Sequence, residues 1–462
     1  MKLMLGQAAE WMHAEGDVAD FLEVTGYSID SRSITSGELF FAVKGERLDG
    51  HDYVESALAN GAVAAVVSMR WLVPAGVPEN KLLRVPDHGG EGVLLSLQRL
   101  AHAARKSWGG RVIGITGSAG KTTTKEAVAQ VLGVKFRVLK SHGNLNNAFG
   151  VPLQLLRIEP DHQVAVIEMG MNHVGEIAEL AKIAEPNWGV VSNVAPVHLE
   201  HFADGIEGIA RAKFELIQAL PPDGLAVLNC DDERVARFGE SIGERAVYYG
   251  FGDCAQVRAR QVMEAGAESV VFTVEAQAQR ATVQLQLIGR HNVHNALAAI
   301  AVGLRSGMTL EQCAVALGGL RAGEKRGEIK DWRGAKLIND SYNSNPRALD
   351  GMVDALLAMP VSGRHIVIAG EMLELGSEGV ALHEACGRRM AERGVDFVVG
   401  VRGLAEHLVR AAVDAGTQAI FVATPEEAGA WVRANVRTGD TVLFKASRGV
   451  RLEGAFTVLD AA

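Results

Sequence analysis

Residues 115 to 125 read ITGSAGKTTTK, and they continue the apolar run RVIGI. Within them Gly117, Ser118, Ala119 and Gly120 form a short glycine-bracketed turn, followed at once by Lys121, Thr122 and Thr123. Those types at that spacing suit a P-loop. Backbone N–H groups and a helix N-terminus face an anion, Lys121 reaches terminal phosphates, and Thr122 offers its hydroxyl to Mg²⁺. Two features depart from the common consensus: Ile115 stands where a first glycine is usual, and three threonines follow the lysine instead of one Ser or Thr. A plain glycine-rich turn with a surface lysine is the alternative. A strand-like run before the loop and a helical pattern, TTTKEAVAQVL, after it argue for phosphate binding.

A phosphate loop needs a carboxylate to help hold its metal, usually at the end of a neighbouring strand. Glu168 closes VAVIE in that position. His198, in NVAPVHLEHF, and Lys213, in ARAKFELI, are further candidates, although single residues of these kinds are more often structural or solvated. LIGRHNVHNALAAIAVG places His291, Asn292, His294 and Asn295 at a helix start, where an Asn can cap or present its amide to a base edge. Arg326 in EKRGEI and the run LINDSYNSNPRAL, with Asp340, Tyr342, Asn343, Asn345 and Arg347, end a strand further on. Strand C-terminal ends are where open α/β sheets bind ligands, although an Asn/Pro turn is the simpler reading.

These residues need elements to position them. RVIGIT, VAVIEMG, WGVVSNV and LAVLNC alternate with helical patterns up to about residue 320, which predicts a parallel sheet with crossover helices. AKLIND, RHIVIAGE, DFVVGV, QAIFVA and TVLFKAS restart that alternation, interleaved with helices such as PEEAGAWVRANV. Ahead of both, ELFFAV and AVAAVVS flank a helix over HDYVESALANG. The expectation is an α/β chain of three domains: a small N-terminal α/β domain (1–88), a central P-loop domain with a parallel sheet (89–320) and a C-terminal Rossmann-like domain (321–462).

The chain has 462 residues, 48% of them hydrophobic, and a net charge of -9. Core size is not limiting, and no overall basic field exists to attract nucleic acid or anionic lipid. The four cysteines, Cys230, Cys254, Cys313 and Cys386, are far apart and form no CxxC pair, which argues against a disulfide framework and a structural zinc site. Charge comes too early for a secretory signal, and no apolar run approaches the roughly 18 residues of a membrane span. A cytoplasmic chain is expected.

Taken together, ITGSAGKTTTK, EMGMNHVGEI, DSYNSNPRAL and IDSRSITSGELFFAVKGERLDGHDYVESALANGA resemble the Mur ligase family, ATP-dependent amide-forming ligases of peptidoglycan precursor synthesis. The family loop reads TGxxGKTTT, so both departures above are its form. Within the family, the last three segments resemble the branch that joins D-alanyl-D-alanine to UDP-N-acetylmuramoyl-tripeptide. The resemblance implies ATP and Mg²⁺ as cofactors, those two molecules as substrates, and neither nucleic acid nor membrane insertion; a monomer is expected. It implies that Lys121 and Thr122 meet ATP phosphates and a first Mg²⁺, with Glu168 as metal ligand. A second Mg²⁺ would fall to His198 and Lys213, the lysine carbamylated to become an oxygen ligand. Asn295 and His291 would lie near adenine, and Arg326 and Asp340 near ribose or phosphate. Ser31, Arg32 and Lys44 would meet the uridine diphosphate, and Asn343 and Asn345 the dipeptide. In the late KGSR segment this chain reads Lys445-Ala446-Ser447-Arg448, which leaves the role of Lys445 open. A folylpolyglutamate synthetase would share the loop but not the first domain, and a guanine-nucleotide switch would need an NKxD motif that is absent.

Overall fold

The computed structural model describes residues 1–264 and 269–461. Its strands form three large sheets and one small pair. The first sheet is all parallel, with Gly26–Ser28, Glu38–Phe41, Ala64–Ser68 and Leu82–Val85 side by side in chain order. A small antiparallel pair, Leu3–Met4 with Glu23–Val24, lies outside it. The helix Gly92–Trp108 that follows buries Val93, Leu97, Leu100 and Ala104 in a cluster shared with Leu5 and Val85 on one side and Val112 and Leu155 on the other. One helix thus serves two cores.

The central sheet has nine strands. Val138–Lys140, Val164–Glu168, Arg111–Thr116, Trp188–Val191, Leu225–Asn229 and Ala246–Gly250 run parallel, in that spatial order. Three of these, Val164–Glu168, Leu225–Asn229 and, but for its first residue, Arg111–Thr116, are buried throughout, as strands covered on both faces must be. The sheet then continues through three strands that the four apolar runs did not reveal: Val257–Glu264, Val270–Ala276 and Gln279–Leu285, the last two pairings antiparallel. Val270–Ala276 alternates buried and half-buried residues along its length, the period-2 signature of a sheet with one covered face. That face is covered by the helix Arg290–Arg305, whose residues Val293 and Ala296–Val302 are fully buried.

The C-terminal sheet runs Glu328–Trp332, Ala335–Asn339, Thr441–Lys445, His365–Gly370, Phe397–Val401 and Gln418–Val422. All five expected strands are present and parallel, and Glu328–Trp332 adds an antiparallel edge. Its turn is Arg333-Gly334, both at positive φ (49° and 78°), the geometry of a tight two-residue hairpin.

The expectation of no disulfide is corrected by the fold. Cys230 and Cys254 are bonded, with their Cα atoms 6.1 Å apart. Leu225–Asn229 and Ala246–Gly250 pair in parallel, so the residues just beyond their ends emerge side by side. Sequence separation carried no sign of that pairing. Cys313 and Cys386 are free and buried.

Candidate functional site

Parallel register assembles the site. Ile115 pairs with Glu168 and Thr116 with Val191, so the phosphate loop, the carboxylate and the segment after Val191 all leave the sheet at one edge, where such sheets bind ligands. The loop runs from the strand Arg111–Thr116 into the helix Lys121–Leu132. Gly117 and Gly120 have φ of 149° and 81°, and a Cβ on them would fall 1.9 Å from Ser192 Oγ and 2.6 Å from Asn295 Oδ1. Glycine is therefore required twice, for conformation and for space.

The loop is held from below by residues the sequence reading passed over. Asn193 bonds Ala119 twice: Oδ1 accepts from its N–H (2.9 Å) and Nδ2 donates to its carbonyl (2.9 Å). Ser192 Oγ donates to the same carbonyl (2.7 Å), and Ser118 exchanges bonds with Ala195 through its hydroxyl. The signal for Asn193 was its place directly after a strand end, in SNVAP.

Lys121 Nζ donates to the Gly117 carbonyl (2.8 Å), curling over the loop. Thr122 Oγ1 donates to Glu168 Oε2 (2.9 Å), and Asn146 Nδ2 donates to Glu168 Oε1 (2.8 Å). Glu168 is 3% exposed. A carboxylate so buried is held by its bonds, and Asn146, in GNLNN, is the second residue missed. Burial lowers the Lys121 pKa, the Glu168 charge raises it, and Arg326 lowers it again. Lys213, on the buried face of the helix Gly205–Gln218, is only 2% exposed. Burial first, and the Lys121 charge second, hold its pKa well below the usual lysine range. Lys121, Thr122, Glu168, Lys213 and Arg326 thus share one electrostatic neighbourhood.

Other expected residues stand elsewhere in the cleft. Asn295 is under the loop: its Oδ1 accepts from Thr124 Oγ1 (3.0 Å) and its Nδ2 donates to Asn292 Oδ1 (2.9 Å). Asn292 in turn donates to the Ile288 carbonyl (2.8 Å). Neither Asn caps the helix, whose N-cap is Gly289. His291 is exposed, and Gly351 of the C-terminal helix Pro346–Ala358 lies against its ring. His198 adopts a left-handed backbone conformation (φ 55°) and meets the carboxylate of Glu374 from the C-terminal domain. Its neighbour of consequence is therefore an acid that the sequence did not single out.

On the C-terminal side, Lys445 pairs with Asp340 and donates to the Asn343 carbonyl (3.1 Å), which gives the lysine of KASR a partner. Asn345 Oδ1 accepts from Ala348 N–H (2.9 Å) as the N-cap of the helix Pro346–Ala358, so that side chain is committed to the fold. Asn343 Oδ1 accepts from the next residue's N–H (2.9 Å). Arg347 reaches across to the central domain, donating to Asp232 Oδ2 (3.0 Å). Arg326 lies over the Tyr342 ring at 3.8 Å, and Arg448 over the same ring at 5.2 Å.

In the first domain, Ser31 is buried and its carbonyl accepts from Asn60 Nδ2 (2.9 Å). Arg32 is exposed and bidentate to Asp30 (2.9 and 2.7 Å). Lys44 is exposed, bridged through its backbone to Asp49.

The site's geometry has counterparts. Three family descriptions match: "Mur ligase family, catalytic domain" over residues 23–89, "Mur ligase middle domain" over 115–303, and "Mur ligase, glutamate ligase domain" over 325–448. The UDP-N-acetylmuramoyl-tripeptide--D-alanyl-D-alanine ligase of Bacillus subtilis is 36% identical, the match covering 93% of this chain and 92% of the relative. The chain belongs to the Mur ligase family. The enzyme of the same name in Escherichia coli is 35% identical over 90% of this chain and 89% of its own. Among solved Mur ligases, MurF from Acinetobacter baumannii superposes with a TM-score of 0.89 at 30% identity, covering 100% of this chain and 99% of its own. MurF from Thermotoga maritima, solved in complex with ADP, gives 0.81 at 29%, covering 95% and 97%.

Proposed function

We propose that this Mur ligase joins D-alanyl-D-alanine to the peptide carboxylate of UDP-N-acetylmuramoyl-tripeptide, using ATP and passing through an acyl phosphate. The observation that carries the reading is the convergence of Lys121, the Thr122–Glu168 hydrogen bond and buried Lys213 at one sheet edge, in a chain whose relatives of that name match it nearly end to end.

A carboxylate is a poor electrophile until one of its oxygens becomes a leaving group. Phosphoryl transfer from ATP to the tripeptide carboxylate supplies one. The dipeptide amine then attacks the acyl carbon, and phosphate departs. Both steps gather negative charge, which fixed donors stabilise best where water is excluded. Lys121, with the N–H groups that open the helix Lys121–Leu132, is placed to meet the phosphates.

The donor set suits Mg²⁺, which takes oxygen ligands: a hydroxyl from Thr122 and a carboxylate from Glu168 already lie 2.9 Å apart. Bound there, Mg²⁺ would neutralise phosphate charge. Lys213 joins such a set only as a carbamate, and burial favours the neutral amine that carbamylation requires. His198 would complete the set on turning from Glu374. In this reading residues 1–88 hold the uridine nucleotide through Ser31, Arg32 and Lys44, residues 89–320 hold ATP, and residues 321–462 deliver the dipeptide; Asn295 and His291 flank the adenine side, and Arg326 and Asp340 the ribose or phosphates.

The test is a substrate panel with purified protein, ATP and Mg²⁺. It pairs UDP-N-acetylmuramoyl-tripeptides carrying diaminopimelate or lysine with D-alanyl-D-alanine or single amino acids. Phosphate release is expected only when both substrates are present, with the dipeptide preferred. Release with neither substrate, or preference for a free amino acid, overturns the reading.

A further inference from the structure

We infer that Arg448 is the residue that recognises the free carboxylate of the incoming dipeptide, so that the amine substrate is selected by its far, anionic end. The inference rests on the dipeptide-ligase reading above.

The dipeptide amine reacts while its carboxylate stays ionised. Taking that charge into a closing cleft is costly unless a cation meets it. The ends of the C-terminal strands are where such a cation must stand, and most polar groups there are already committed. Asn345 caps a helix, Asn343 bonds its neighbour, and Lys445 is neutralised by Asp340. Glu453, the acid whose charge Arg448 influences, is paired with Lys325 at 3.0 Å. Arg347 is engaged by Asp232.

The two guanidiniums that lie over Tyr342, Arg326 and Arg448, have no ion-pair partner among the described residues. Their shared contact is the Tyr342 ring. Two cations on one ring repel each other, and the pair is relieved when anions bind between or beside them. Arg326 is the one whose charge reaches Lys121, so it belongs to the phosphate side. Arg448 lies further out, exposed, at the first position of the turn Arg448–Val450.

That turn is anchored. Ser447 Oγ donates to the Ser344 carbonyl (3.3 Å) and accepts from Leu373 N–H (2.9 Å), while Lys445, two residues earlier, is locked to Asp340. The backbone under Arg448 is thus fixed, and its side chain is left free to fork onto a carboxylate, for which a guanidinium is suited. Tyr342 is a positioning residue: its ring gives the guanidinium a flat seat without consuming a donor.

Steady-state kinetics with D-alanyl-D-alanine and with D-alanyl-D-alaninamide, which lacks only the charge, test this. Wild-type enzyme is expected to prefer the acid by about 10- to 100-fold in kcat/KM. In Arg448→Gln that ratio collapses toward one, the loss falling on KM for the dipeptide and not on KM for ATP. Arg448→Lys recovers part of it, Tyr342→Phe retains it, and Tyr342→Leu lowers it. Equal use of acid and amide by wild type overturns the inference without any variant, as does an Arg448→Gln enzyme that keeps the preference or loses affinity for ATP instead. Wild-type enzyme that ligates neither compound would instead sink the functional reading, and this inference with it.

Discussion

The two walls of the cleft keep their charges in opposite ways. On the central wall, Lys121, Thr122, Glu168 and Ala119 are bonded to their neighbours before any ligand arrives. On the C-terminal wall, Arg326 and Arg448 have a tyrosine face and, among the described residues, no ion-pair partner. Phosphoryl transfer gains most from groups that need no reorganisation at the moment of reaction. Recognition of an arriving anion gains most from a cation with no partner to give up. Preorganisation and availability are therefore divided between domains that meet through Arg347–Asp232 and His198–Glu374.

That contrast can be broken at several points. Lys121→Ala should cost on the order of 10²- to 10³-fold or more in kcat, read as phosphate release dependent on both substrates; a loss under tenfold would mean the central wall is not the catalytic one. Lys213→Ala should be nearly as damaging, with activity partly restored by short carboxylic acids that replace a carbamate. Full activity without rescue removes Lys213 from the mechanism. Asn193→Ala deletes two hydrogen bonds to the loop and should raise KM for ATP by roughly fivefold, on about 1 kcal/mol net for the pair. An unchanged KM would mean that the loop keeps its shape unaided.

A stability control lies away from both walls. Asp440 is 3% exposed and accepts from Arg364 (2.7 Å) and from the Arg437 N–H (2.9 Å). Burial alone would raise its pKa, but those bonds outweigh it and hold the carboxyl below its usual range. A depressed carboxylate contributes stability above its unfolded pKa, near 3.9, that is lost as pH falls through the lower folded value. Asp440→Asn should therefore destabilise the C-terminal domain by about 1–3 kcal/mol at pH 7, and thermal melts of the two proteins should begin to converge as pH falls below about 4. A gap that widens in acid contradicts this sign. The smallest expected signal is closure: scattering profiles should compact with nucleotide and both substrates, excluding water from the acyl phosphate, and identical profiles would rule that motion out.

Legibility followed the range of the interaction. The phosphate loop, its flanking strand and helix, and Glu168 at a strand end were readable because each depends on residues adjacent in the chain. The antiparallel edge of the central sheet was passed over because Val257–Glu264 carries charges inside a strand, which weakens any apolar run. Asn345 reads as a ligand residue in sequence, but the Pro346 that follows it starts a helix and makes it a cap. Asn295 reads in the same way, and its amide is bonded to Thr124 and Asn292, the former 171 residues away.

By itself the sequence determined the three α/β blocks, the glycine-bracketed loop between strand and helix, and Glu168 at the end of its strand, since periodicity and turn chemistry are local. Only the tertiary structure decided which polar groups are already spoken for. Strand register set Asn193 beneath Ala119, joined Cys230 to Cys254, paired Lys445 with Asp340, and left Arg448 without an ion pair among the described residues. A residue's availability depends on partners that are distant in the chain, and that distance is closed only by folding.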